Sequence, residues 1–117
     1  MKPPHILVVD DEEAIINSLK MVLEESDYQV TTSQSPTQAL ELFSKAVNDF
    51  SLLITDLTMP EMDGISLIRE IKKIRNNMPT ILLSGYANTN VNQEYIDIFL
   101  PKPVGIDELL ISIEKLL

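Results

Sequence analysis

The chain of 117 residues contains no cysteine. Disulfides, cysteine-ligated zinc and thiol catalysis are therefore excluded, and a reducing, cytoplasmic setting is the expected one. Basic residues are also scarce: nine Lys and Arg stand against 18 Asp and Glu, for a formal net charge of −9. That balance argues against nucleic acid or an anionic membrane as a direct partner. Long apolar runs are missing too. Ile6 to Val9 is a short run that ends in acid, unlike a signal-peptide core, and no stretch approaches transmembrane length. There is no internal repeat and no low-complexity segment. What remains, 44% hydrophobic and 23% charged, fits an ordinary soluble globular protein. At this length one domain, residues 1–117, is expected.

The stretch around which the chain is organised is SLLITDLTMPEMDG, Ser51 to Gly64. Leu52, Leu53, Ile54 and Thr55 form a run without polar alternation, which suits a strand buried on both faces of a parallel sheet. Pro60 and Asp63-Gly64 then mark a loop, and an amphipathic segment follows. Asp56 thus falls where a central strand gives way to a βα loop, the edge at which open α/β sheets bind ligands. A strand-end Asp can equally do no more than cap a turn. Its company decides.

A second buried-strand run, HILVV (His5 to Val9), also ends in acid: Asp10, Asp11, Glu12, Glu13. A helix is predicted next, with Ala14, Ile15, Leu19, Val22 and Leu23 inward. The helix dipole accounts for Glu12 and Glu13. It accounts less well for Asp10 and Asp11, which precede the helix. His5, at the far end of the strand, reads as an edge or core residue. Tyr28 to Thr32 is predicted as a short strand, and Ser33 to Pro36 as the turn into a helix striped by Ala39, Leu40, Leu42, Phe43, Ala46 and Val47. Gly64 to Arg75 is a helix with Leu67, Ile68, Ile71 and Ile74 inward. Thr80 to Leu83 is a fourth buried strand, ending in Ser84-Gly85. Asn88 to Asp97 is poor in helix formers, so a short or frayed helix is expected there. Ile98 to Leu100 is a fifth strand, followed by Pro101-Lys102-Pro103. Ile106 to Leu117 closes the chain as a helix with Ile106, Leu109, Leu110, Ile113, Leu116 and Leu117 on one face. Short apolar strands alternating with helices predict a doubly wound α/β sandwich with a five-stranded parallel sheet, order 2-1-3-4-5.

In that order one crevice receives Asp10, Asp11, Asp56, Ser84 and Lys102. Carboxylates this close repel unless a cation lies among them. Oxygen donors in an incomplete cage suit magnesium, which keeps several waters and accepts a phosphate oxygen. Ser84 can hydrogen-bond a phosphoryl oxygen and Lys102 can pair with its charge. Singly, Ser84 reads as a turn residue and Lys102 as a surface lysine. Together with the three carboxylates they make a constellation.

The segments VVDDEE, LLITDLTMPEMDG, ILLSGYA and FLPKPV resemble the receiver domain of two-component response regulators, in order and spacing, over essentially the whole chain. The resemblance implies a flavodoxin-like fold and a signalling phosphoacceptor rather than an enzyme. By position it makes Asp56 the phosphoacceptor and Asp11 a direct ligand of Mg2+ (or Mn2+), with Asp10 helping through water and the Thr58 backbone carbonyl completing the protein's share. It implies that Lys102 contacts the phosphoryl group, that the Lys102-Pro103 peptide is cis, and that Ser84 and Phe99 are the switch pair. The implied donor is a histidine kinase or a histidine phosphotransfer protein. The implied output is a downstream protein or a fused effector or kinase domain.

Three departures from the family pattern stand out. The stretch from Ser84 to Lys102 is short by about four residues, close to one helical turn, which implies a shortened fourth helix. Phe99 replaces the commoner tyrosine. The given sequence stops at its last helix, and FLPKP resembles receivers fused to histidine kinases. A phosphohydrolase using Asp56 would need a second Asp where Thr58 stands, and a flavin carrier would need a phosphate loop where DDEE stands. The competing reading that stays open is a receiver that is not phosphorylated and serves as a constitutive docking module.

Overall fold

The computed structural model describes residues 3–85 and 96–117. Its strands are β1 (His5–Val9), β2 (Gln29–Ser33), β3 (Leu52–Asp56), β4 (Thr80–Ser84) and β5 (Ile98–Pro101). They form one parallel sheet in the order β2-β1-β3-β4-β5. The helices are α1 (Glu13–Glu25), α2 (Pro36–Lys45), α3 (Gly64–Ile74) and α4 (Ile106–Leu116). The short helix expected over 88–97 falls almost wholly outside the described residues.

The apolar runs of β1, β3 and β4 are continuous because each of these strands feeds two cores, whereas the edge strand β2 packs only Val30 against one of them. Leu7, Val9, Leu53 and Leu82 point to one side, where Ala39 and Phe43 of α2 and Leu67, Ile68 and Ile71 of α3 cover them. Ile6, Val8, Leu52, Ile54, Ile81 and Leu83 point to the other, against Ile16 and Leu23 of α1 and Leu109 and Ile113 of α4. This is the two-residue period of a strand, with both phases filled. The parallel crossovers then place all strand C-termini at one edge.

Several predicted details shift. Strand β2 begins one residue later than expected, at Gln29. The buried residues of α1 are Ile16 and Leu23, while Ala14 is exposed. Helical spacing from Leu23 back through Leu19 leads to Ile16, so the stripe is rotated from the predicted one. Leu42, Ile74, Ile106 and Leu117 are also exposed. Leu42 lies about 100° around α2 from Phe43, off the sheet-facing side, and the other three occupy helix ends.

Local signals set the starts of α2 and α3. The Ser35 hydroxyl accepts from the Gln38 N–H at 3.2 Å with Pro36 at the first helical position. The Asp63 carboxylate accepts from the Ser66 N–H at 2.8 Å. Both are side-chain caps on otherwise unpaired first-turn donors.

His5 lies at the opposite edge of the sheet from these caps. Its ring centroid is 4.5 Å from that of Phe50 and its Nε2 is 2.6 Å from Thr31 Oγ1. Burial lowers its pKa from 6.5, against the charge and carbonyl of Asp49, which raise it. The folded state therefore favours neutral imidazole: the contribution is complete above the unfolded pKa and is lost as pH falls through the lower, folded one. The wild-type melting temperature minus that of His5→Phe should fall between about pH 7.5 and about pH 5. A difference independent of pH would contradict this.

Candidate functional site

Four strand ends build an acidic cleft at the C-terminal edge of the sheet. Asp10 follows β1, and Asp56 is the last residue of β3. The Glu12 N–H donates to Asp10 Oδ1 at 2.9 Å, which turns that carboxylate inward ahead of α1. The Lys102 N–H donates to the Ser84 carbonyl at 2.7 Å, carrying the β4–β5 ladder one residue beyond β5. The Lys102–Pro103 peptide is cis.

Asp10, Asp11 and Asp56 each place a carboxylate oxygen within 4.8 Å of the others. Asp10 is 1% exposed and Asp56 6%, whereas Asp11 is open to solvent. Lys102 Nζ lies 3.0 Å from Asp56 Oδ1 and 3.2 Å from Asp10 Oδ2. Two charges at 4.8 Å or less repel by about 3 kcal/mol or more at an effective dielectric near 20. One ammonium cannot balance three such carboxylates. Burial raises the Asp10 pKa, with help from the Asp56 charge, although the Glu12 amide and Lys102 pull the other way. For Lys102, burial acts to lower the pKa, but the hydrogen bond to Asp56 and the charge of Asp10 outweigh it and the net direction is up. The ammonium is held charged where it stands.

Asp11, Glu12, Asp56, Thr58, Gly85 and Lys102 line the open cleft, of about 500 Å³. Hard oxygen donors at one mouth, with room left for water, fit a magnesium-sized cation rather than a soft metal. The structure thus brings together Asp10, Asp11, Asp56 and Lys102, with Thr58 on the same cleft. Ser84 is 1% exposed at the end of β4. Phe99 lies further back along β5, opposite Leu82, half-buried against the core covered by α2 and α3.

Two features had no sequence signal strong enough to find them. Gly64 reads only as a loop marker, yet a Cβ there would lie 2.2 Å from the Asp56 carbonyl oxygen and 2.8 Å from Leu82 Cδ1. Glu61 has no obvious role in MPEMDG, yet its carboxylate accepts from the hydroxyls of Ser35 at 2.8 Å and Thr37 at 3.3 Å. A side chain that spans 26 residues of sequence to reach a surface hydroxyl leaves no periodic trace.

Fold and cleft together define a doubly wound α/β domain with a cluster of oxygen donors at its strand ends. The response regulator receiver domain family model matches residues 6–114, and the chain belongs to that family of two-component signalling domains. It is 35% identical over 120 residues to the transcriptional regulatory protein GlrR of Escherichia coli K12, covering 99% of this chain and 27% of GlrR. Against the sensor kinase CckA of Brucella abortus the identity is 31%, covering 96% of this chain and 12% of CckA. The chain thus spans about a quarter or less of these two relatives. Among solved structures, a receiver domain protein of Clostridium thermocellum superposes with a TM-score of 0.92 at 35% identity, covering 97% of this chain and 93% of that one. Response regulator TrrA of Thermotoga maritima, solved in complex with Mg2+-BeF, gives 0.89 at 33% identity, covering 97% and 99%. The phosphoacceptor role is general for the family, whose members interact with histidine kinases or phosphotransfer proteins and are often fused to effectors. Among the described residues, no helix is long and apolar enough to cross a membrane.

Proposed function

We propose that this chain is a working phosphoacceptor, in which Asp56 takes a phosphoryl group from a partner phosphohistidine and the domain then changes its contacts with a downstream protein or fused domain. The observation that carries this reading is the meeting of three carboxylates within 4.8 Å beneath a lysine whose Nζ is 3.0 Å from Asp56. Such a site is costly to the fold and useful to phosphoryl transfer.

A carboxylate oxygen of Asp56 attacks phosphorus in line. The new O–P bond forms as the P–N bond breaks, and the electron pair leaves with the imidazole nitrogen, which takes a proton from solvent. Asp10, Asp11, Asp56 and the Thr58 carbonyl would hold magnesium, or manganese in its place, Asp10 through water. When bound, the ion neutralises charge on the transferring oxygens. Lys102 supplies the second positive charge and turns from Asp56 to a phosphoryl oxygen. Ser84, at the end of the neighbouring strand, donates to the same group. Phe99 then repacks on β5, a two-state change biased by the added charge. The setting proposed is the cytoplasm.

Incubation with acetyl phosphate and magnesium should add one phosphoryl group by intact mass, and chelation of the metal should prevent it. No gain with magnesium present would favour the constitutive docking module.

A further inference from the structure

The segment from the end of β2 to the first turn of α2, residues 33–37, lines no part of the acidic cleft, yet it touches both loops that do. The Ser33 carbonyl accepts from the Asp10 N–H at 3.2 Å, and Gln34 Nε2 donates to the Asp11 carbonyl at 3.5 Å. On the other side, Glu61 of the β3–α3 loop is bound by Ser35 and Thr37.

Glu61 occupies an unusual backbone position for this role. Its φ is 72°, in the left-handed region that glycine favours, and the Met62 N–H closes back on the Pro60 carbonyl at 2.8 Å across it. That is the rarer hand of the γ-turn, which persists when its surroundings over-determine it. Two sets of contacts do so. The Ser35 hydroxyl donates to Glu61 while accepting the Gln38 N–H, so the carboxylate is coupled through Ser35 to the first turn of α2. That turn has no acidic residue of its own, and a negative charge is favoured there. At the other end, the loop is fixed by the Leu57 N–H to the Leu83 carbonyl and the Gly64 N–H to the Leu57 carbonyl. Between these fixed points lies Thr58.

We propose that Glu61 is a positioning residue for the cation: tied to the start of α2, it holds the turn that presents the Thr58 carbonyl to the cleft. This rests on the metal reading above. Glu61 touches neither cation nor phosphoryl group and acts through the backbone of residues 58–60.

The test is calorimetric titration of the protein with magnesium chloride at about 0.15 M ionic strength, where remote charges are screened, alongside thermal melts. Glu61→Gly eases the turn and cuts the tie. It should melt no lower than wild type yet bind magnesium about tenfold more weakly, the lower end for partners that orient a metal's ligands. Ser35→Gly with Thr37→Val keeps the Glu61 charge and, with glycine at Ser35's position, most of the cap; its affinity should fall comparably. Magnesium affinity within twofold of wild type in both variants would overturn the proposal. So would a loss confined to Glu61→Gly, which would mark a bulk charge effect, or a loss that merely tracks melting temperature. Absence of magnesium uptake by the wild type would overturn the metal reading and this proposal with it.

Discussion

Asp56→Asn is expected to take up no phosphoryl group from acetyl phosphate under conditions that modify the wild type, while folding normally. An amide oxygen is a poor nucleophile at neutral pH, and Asp10, the other buried carboxylate, cannot replace the attacking oxygen without abandoning its own contacts. Asp10 is held by the Glu12 amide and Lys102, and Asp11 stands at the open rim. The fold should survive because asparagine keeps the volume and can still accept from Lys102. Removing one of three crowded carboxylates also relieves repulsion, so stability without metal should hold or rise by about 1 kcal/mol. Magnesium affinity should drop at least about tenfold, since a charged oxygen donor is lost. Labelling of the variant equal to wild type would contradict the assignment.

Gly64→Ala should be among the most damaging small substitutions in the chain. Helix propensity alone would make alanine better than glycine at this position by about 1 kcal/mol. Space decides otherwise. The added Cβ would meet the Asp56 carbonyl oxygen at 2.2 Å and Leu82 Cδ1 at 2.8 Å. The leucine methyl can rotate away, but the carbonyl belongs to the end of β3 and the Gly64 N–H is itself bonded to Leu57. Either β3 or the start of α3 must move. Overpacking of backbone on backbone should cost about 3 kcal/mol, lowering the melting temperature by roughly 10 °C. Because the displaced carbonyl is that of Asp56, phosphoryl uptake should fall as well, even well below the melting transition. A melting temperature at or above wild type would show that α3 can shift freely, and that glycine there is a matter of propensity.

The sheet was legible because β1, β3 and β4 are buried on both faces and so carry unbroken apolar runs, each giving way to a polar residue. Asp56 could be singled out from LLITD followed by a loop, and the cleft from the recurrence of that pattern after HILVV and TILL. Helix phase was less legible. In α1, apolar residues at 14, 15, 16, 19, 22 and 23 cover more than one face, and the packing of Ile16 rather than Ala14 depends on where the helix sits on β1. Contacts of the site's surroundings were not legible at all. Glu61 with Ser35, and the approach of Gly64 to Asp56, arise from how α2 and α3 stand over the sheet. The pairing of Lys102 with Asp10 spans 92 residues and follows only once the strand order is known.

The most direct test of the central claim is to trap the phosphorylated wild-type protein with borohydride and map the modified residue by peptide mass. Reduction converts an aspartyl phosphate to homoserine, marking the residue that carried it. The expected result is homoserine at position 56 alone, appearing only when magnesium was present during phosphorylation. Homoserine at position 10 or 11, or none anywhere after a confirmed gain of phosphoryl mass, would contradict the assignment of Asp56 as the acceptor.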